Sequence, residues 1–177
     1  MLIRIAWYMN YIEEFRDSNS LSTYGDDNIV GTDEQSFTFN SVKEALAVFG
    51  VNYTSASKAA VSPDFIAVEE LSFLKRKFAP MNRRGTEIIG CPLEEESILK
   101  MMCFSDVTEN VDGVLRDILK DAVRQYFFFG EEVYRARRAF VQTLAYKIGL
   151  SHQASDWKTF DDLWDEYLTG KFQLQFA

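Results

Sequence analysis

Two adjacent carboxylates, Asp26 and Asp27, follow Tyr24-Gly25 and lie between two short apolar runs. Gly and Asp accept turn geometry that β-branched residues resist. Leu21–Tyr24, the Gly25-Asp26-Asp27 turn and Asn28–Gly31 therefore read as strand, turn and strand. At the tip of such a hairpin the two charges repel each other and face solvent, an arrangement that divalent cations or lysines relieve. Hard carboxylate oxygens suit Mg2+ or Mn2+, and paired ions about 4 Å apart clamp the attacking and leaving oxygens of a phosphoryl transfer. A polar turn with no chemistry uses the same residues, so the triplet alone is a weak signal.

The order of residues downstream adds to it. Lys58, in Thr54-Ser55-Ala56-Ser57-Lys58, follows a helix and a strand that return the chain toward the hairpin. A lysine there is placed to protonate a leaving pyrophosphate as a general acid, or it is an exposed surface lysine. Next comes Phe73-Leu74-Lys75-Arg76-Lys77-Phe78, with Arg83 and Arg84 behind it, five positive charges within a dozen residues. Strand alternation puts Phe73, Lys75 and Lys77 on one face and Leu74, Arg76 and Phe78 on the other. Such a segment contacts phosphates, or it is a charged edge strand that resists aggregation.

The elements that must hold these residues are mixed α and β at first. The opening 16 residues read as a helix, with Leu2, Ile5, Ala6, Met9 and Ile12 at helical spacing. Ser41-Val42-Lys43-Glu44 has the capping-box pattern, opening a helix that buries Val42, Ala45, Leu46 and Phe49 and stops at Gly50. Strands are expected at Val51–Thr54, Phe65–Val68, Leu71–Phe78 and Glu87–Gly90. From Pro92 the pattern turns helical: Glu94–Glu96 fill a first turn ahead of Ile98, Leu99 and Met102. An amphipathic stripe then runs from Val111 to Val123. Gly130 separates it from a helix over Glu131 to Lys147, and a last helix starts at a capping box of Thr159 and Asp162 and ends at Gly170. The fold class is α+β, with an N-terminal part over residues 1–92 and a helical part over 93–177.

The chain has 177 residues, 19 basic and 27 acidic, a net charge of -8 and 47% hydrophobic residues. That composition packs a core and excludes wholesale disorder. No apolar run approaches the ~20 residues of a membrane-spanning helix. Arg4, Glu13 and Glu14 interrupt the N-terminal stretch, which does not read as a signal peptide. Cys91 and Cys103 are too few for a disulfide framework, which points to a reducing, cytoplasmic setting. His152 is the only histidine, which removes most Ser-His-Asp, Cys-His and zinc-dependent chemistries. The acidic balance argues against simple electrostatic coating of nucleic acid and leaves room for a local basic groove.

The order Ser-Thr-Tyr-Gly-Asp-Asp-Asn, then Thr-x-x-x-Lys, then Phe-Leu-Lys-Arg resembles the palm of RNA-dependent RNA polymerases from picorna-like positive-strand RNA viruses. Tyr24–Asn28 looks like motif C, Ser41–Lys58 like motif D and Leu71–Phe78 like motif E. Cys91-Pro92-Leu93 and the helix after it are similar to the entry into the thumb. Motif signatures cover about the first 105 residues, and the remaining helices fit a thumb in architecture only.

The resemblance implies a partial palm (an antiparallel sheet with helices) over 1–92 and a helical thumb over 93–177. It implies that Asp26 coordinates catalytic Mg2+ or Mn2+, with Asp27 the weaker supporting carboxylate. Gly25 would permit the turn and Asn28 would shape the nucleotide site. Lys58 would be the general acid, although Ser57 stands where the family often has Asp. Lys75 and Arg76 would contact the backbone of the primer or nascent strand. The implied partners are an RNA template, nucleoside triphosphates and other viral replication proteins, in host cytoplasm at membrane-associated replication complexes.

Motifs A, B and F precede motif C in that family, and only 23 residues precede Tyr24 here. The expectation is a C-terminal fragment of a polyprotein-derived polymerase, inactive without its fingers and upstream palm, with Met1 an internal methionine or an artificial start. The aromatic residues Tyr126–Phe129, Trp157 and Trp164 either pack the core or line an RNA exit path. Two other readings compete. A reverse transcriptase favours a side chain in place of Gly25. An acidic helical interaction module without catalysis makes the hairpin a plain turn and Arg135, Arg137 and Arg138 a solvated face.

Overall fold

Trp7 decides how the N-terminal part begins. In the computed structural model of the chain, which describes residues 1–56, 62–103, 109–150 and 157–174, α1 spans only Leu2–Tyr8 and buries Ile3, Ala6 and Trp7. Of the expected stripe only Ala6 lies fully in the core: Ile5 is half-buried, Leu2 and Met9 are exposed and Ile12 is 99% exposed. A buried indole needs a partner for its N–H. Trp7 Nε1 donates to the Glu13 carbonyl at 2.8 Å, its ring stacks on Tyr11 at 4.2 Å, and its edge meets Phe37 at 5.1 Å. The chain therefore bends after Tyr8 and restarts as a short helix α2, Phe15–Ser18, with Phe15 buried.

Strands β1, Asn19–Tyr24, and β2, Asp27–Thr32, pair antiparallel with Leu21 opposite Val30 and Tyr24 opposite Asp27. Leu21 and Val30 pack on the core formed by α1, Phe15, Phe37 and α3. Helix α3 spans Phe39–Ala47. Its N-cap is Thr38, whose hydroxyl accepts from the Ser41 N–H at 3.1 Å, so the expected cap at Ser41 lies three residues too late. Thr38 has the extended backbone of a capping residue, whereas Ser41 is already in the helix. Val42, Ala45 and Leu46 are buried as expected, but Phe49 falls past the helix end and is 57% exposed. Val51–Thr54 and Phe65–Ala67 form no strand, and Val68–Glu70 is a 3-10 turn.

The described chain divides into two compact units, Met1–Leu74 and Lys75–Ala177. The division falls in a tight turn between β3, Ser72–Phe73, and β4, Arg76–Lys77. Leu74 and Lys75 both take left-handed backbone, with φ of 52° and 60°. Two such residues in succession reverse the chain as a type I′ turn does. The single strand expected over Leu71–Phe78 is therefore a hairpin, and its alternation of faces does not hold.

In the second unit β5, Ala79–Arg83, pairs with β6, Thr86–Gly90, Met81 lying opposite Ile88. Four helices follow among the described residues: α4, Glu95–Cys103; α5, Val111–Gln125; α6, Glu131–Lys147; and α7, Phe160–Leu168. Tyr126–Phe129 is a 3-10 turn between α5 and α6. Phe127 is fully buried, with Phe160 at 5.0 Å, Phe172 at 5.3 Å, Tyr167 at 6.1 Å and Trp164 at 6.2 Å between ring centroids. Tyr126, Phe128, Trp157 and Trp164 are buried with it, so these aromatic residues pack the core. The capping box at α7 forms as read: Thr159 N–H donates to Asp162 Oδ2 at 2.8 Å, and Asp162 N–H to Thr159 Oγ1 at 3.2 Å.

Ion pairs tie α7 to the β5–β6 turn. Arg83 pairs with Glu131 and with Asp161 at 2.6 Å, its guanidinium lying 4.9 Å over the Phe160 ring. Arg84 reaches Asp161 at 2.6 Å and Asp165 at 3.1 Å, and Glu166 pairs with Arg124 and Lys158. The hydrogen bond from Arg83 holds the Asp161 carboxyl below its usual range. Burial pushes Glu166 up, but Lys158 and Arg124 together bring it below its ordinary value. A carboxyl depressed in the folded state contributes stability above its unfolded pKa, roughly 4, and loses it as pH falls through the lower folded value. The melting temperature is therefore expected to drop as pH falls from about 5 toward 3. Arg83→Met should flatten that drop in a melting series across this range, whereas an identical pH slope in the variant would show that these pairs do not govern acid stability.

Candidate metal centre

Because Tyr24 pairs with Asp27, the turn itself is two residues, Gly25 and Asp26. Gly25 has φ of 61°, while Asp26 stays out of the left-handed region. Positive φ at the first central position alone is the pattern of a type II′ turn, which favours Gly there. A Cβ on Gly25 would meet nothing within 4 Å, so the demand for glycine is conformational and not steric. Asp27 is already part of the ladder. Strand alternation places it with Tyr24 and Ile29 on one face, and Asn28 with Val30, Leu21 and Thr23 on the face toward the core.

Asp26 and Asp27 are both exposed, and among the described residues neither is in an ion pair. Asn28 is half-buried. Its Oδ1 accepts from the Tyr53 hydroxyl at 2.8 Å, and its Nδ2 donates to the Asp26 carbonyl at 3.4 Å. The Tyr53 ring stacks on Phe39, with centroids 5.3 Å apart. Burial pushes the Tyr53 phenol above its ordinary value. Sequence reasoning placed Tyr53 in a strand and assigned it no role, since nothing local announces a phenol–amide contact across 25 residues.

Among the described residues no group of three or more His, Cys, Asp or Glu side chains is close enough to hold a metal. The turn thus offers two carboxylates. That donor set still fits Mg2+, which keeps several waters and in nucleotide-handling sites binds through one or two carboxylates plus substrate phosphates.

Gly25, Asp26, Asp27 and Asn28 lie together on the β1–β2 hairpin. Lys58 lies outside the described residues. In the second unit Lys75 is exposed at the β3–β4 turn. Arg76 is half-buried, donating to the Cys91 carbonyl at 2.9 Å and to Gln125 Oε1 at 3.2 Å. Its guanidinium thus ties β4 to α5. Arg83 and Arg84 are committed to carboxylates, so of the five basic residues near motif E only Lys75 and Lys77 are exposed without an ion pair among the described residues. Arg137 and Arg138 are also more than a solvated face: Arg137 pairs with Glu95, and Arg138 donates to the Trp157 carbonyl at 2.6 Å.

An antiparallel hairpin bearing Gly-Asp-Asp, followed by a helix and by a helical unit, is a polymerase-like arrangement, and residues 2–145 match the viral RNA-dependent RNA polymerase family. The chain belongs to that family. It is 25% identical over 178 residues to the replicase polyprotein of Cricket paralysis virus, covering 93% of this chain and 10% of that polyprotein. It is 43% identical over 83 residues to the genome polyprotein of Theiler's murine encephalomyelitis virus (strain DA), covering 46% of this chain and 4% of the polyprotein. The fold matches the solved Sicinivirus 3Dpol RNA-dependent RNA polymerase with a TM-score of 0.59 and 18% identity, over 93% of this chain and 33% of that one. The chain therefore spans a tenth or less of these polyproteins and a third of that polymerase structure. The family match sets aside the reverse transcriptase and the acidic interaction module.

Proposed function

We propose that the chain is the palm-and-thumb segment of a viral RNA-directed RNA polymerase, with the palm over 1–92 and the thumb over 93–177. In the full-length protein it takes part in template-directed nucleotidyl transfer. The observation that carries the reading is the exposed pair Asp26 and Asp27, one at a two-residue turn and the next opening β2, neither in an ion pair among the described residues, in a chain of this family. Asp26 and Asp27 hold Mg2+ or Mn2+, which supplies charge neutralisation at the reacting phosphate oxygens. Gly25 lets the turn close, and Asn28 fixes the backbone beside it. Lys58 gives its proton to the departing pyrophosphate.

Lys75 contacts the nascent-strand backbone, and Arg76 steadies the segment that presents it. Template, nascent strand and nucleoside triphosphates are the ligands. The fingers and upstream palm of the same polyprotein complete the site, and other viral replication proteins join it. The site of action is host cytoplasm at membrane-associated replication complexes. Among the described residues no helix is long and apolar enough to cross a membrane.

The test is primer extension on an RNA template with Mg2+. Joined to the residues that precede it in its polyprotein, the chain is expected to extend the primer. Alone it is expected to incorporate nothing above an Asp26→Asn control, because motif A supplies a further metal-binding Asp. Failure of the joined protein to incorporate nucleotides would overturn the reading.

A further inference from the structure

We propose that Tyr53 is a positioning residue for the metal-holding turn, setting the Asp26 backbone through Asn28. This rests on the polymerase reading of that turn and adds to it a residue outside its motif. The Asp26 carbonyl can only accept a hydrogen bond, so the Asn28 amide must turn its nitrogen toward it, at 3.4 Å. That orientation leaves Asn28 Oδ1 facing inward, where it needs a donor. The Tyr53 hydroxyl supplies one at 2.8 Å.

The Asp26 carbonyl, which only accepts, sets which way the amide faces, and the Tyr53 hydroxyl completes that arrangement. The 3.4 Å contact is long, so it cannot by itself hold the amide. The shorter bond to Tyr53 anchors it, and without that bond Asn28 Oδ1 loses its partner and the amide keeps only the long contact.

Tyr53 is itself held. Its ring stacks on Phe39, the first residue of α3, at 5.3 Å with 28° between planes. The line of contacts runs from α3 through Tyr53 and Asn28 to the residue that holds the metal. Removing the phenol hydroxyl loosens the Asp26 backbone and weakens metal affinity, while the exposed carboxylates keep their chemistry.

The experiment measures the Mg2+ requirement of single-nucleotide incorporation by the full-length polymerase. Tyr53→Phe, which keeps the ring and its stacking, is expected to raise the Mg2+ concentration for half-maximal rate about fivefold, the worth of one neutral hydrogen bond. At saturating Mg2+ its KM for nucleotide should stay within about twofold of wild type, the bond acting on metal affinity and not on uniform substrate binding. Asn28→Ala should raise the Mg2+ requirement similarly. The double variant should be no worse than either single one, because both remove the same contact line.

An unchanged Mg2+ requirement in Tyr53→Phe, or a double variant whose effect is the product of the two, would overturn the inference. So would a lowered melting temperature and active fraction with the Mg2+ requirement unmoved, the sign of a merely structural role. Asp26→Asn, run in parallel, separates the levels. If it incorporates at the wild-type rate, the polymerase reading of the turn itself fails, and this inference with it.

Discussion

Asp26→Asn is expected to lower nucleotide incorporation by the full-length polymerase about a thousandfold, roughly 4 kcal/mol of transition-state stabilisation. The substitution keeps the shape of the side chain and removes its charge and one anionic oxygen. Asp26 stands at the apex of the turn, exposed and unpaired among the described residues, so the folded chain loses no internal contact by it. Its melting temperature should therefore match wild type while the rate collapses. Asp27→Asn should cost less, about tenfold, because the proposed reading makes Asp27, held in the ladder opposite Tyr24, the supporting carboxylate. Pre-steady-state incorporation of one nucleotide reads both. Equal rates for Asp26→Asn and wild type would remove the turn from the chemistry.

The second large effect is on stability. Phe127→Ala is expected to destabilise the second unit by about 3–5 kcal/mol, the usual cost of deleting a buried aromatic ring. Phe127 is 0% exposed and sits among the rings of Phe160, Trp164, Tyr167 and Phe172. Those rings come from α7 and the chain after it, so the cavity cannot close by moving one side chain alone. Domain stabilities are about 5–15 kcal/mol, so this is a large share of the total. Phe140→Ala, at a site 54% exposed, should stay within about 0.5 kcal/mol of wild type. Urea unfolding followed by tryptophan fluorescence measures both, since Trp157 and Trp164 belong to this core. A Phe127→Ala midpoint equal to that of Phe140→Ala would show that the aromatic cluster is not the centre of the unit.

What was legible in the sequence was local. The β1–β2 hairpin follows from Gly-Asp between two apolar runs, and α7 from the capping box of Thr159 and Asp162. The helices α5 and α6 follow from their spacing and from Gly130, whose φ of 92° ends one element and opens the next. The turn at Leu74–Lys75 escaped because neither residue is one that normally accepts left-handed backbone. The face of α1 was misplaced because Trp7 recruits Tyr11, Phe15 and Phe37, and no helical period registers contacts across a bend. The basic residues near motif E read as a phosphate-binding segment or a charged edge strand, yet Arg83 finds Asp161 across 78 residues and Arg76 finds Gln125 across 49. Charge along a sequence does not say which charges the fold will pair. Tyr53 escaped for the same reason: its partner, Asn28, is near only once α3 has folded back.

The most direct test of the central claim, that the Gly25–Asp27 turn holds the metal of an RNA polymerase, is iron-directed cleavage of the full-length protein. Fe2+ loaded in place of Mg2+, with ascorbate and peroxide, generates hydroxyl radicals where the ion sits. The account expects peptide-bond cuts between Tyr24 and Asn28, suppressed by added Mg2+ and absent in Asp26→Asn. An active polymerase that binds Fe2+ but is not cut in that segment, or is cut there equally in Asp26→Asn, would contradict it.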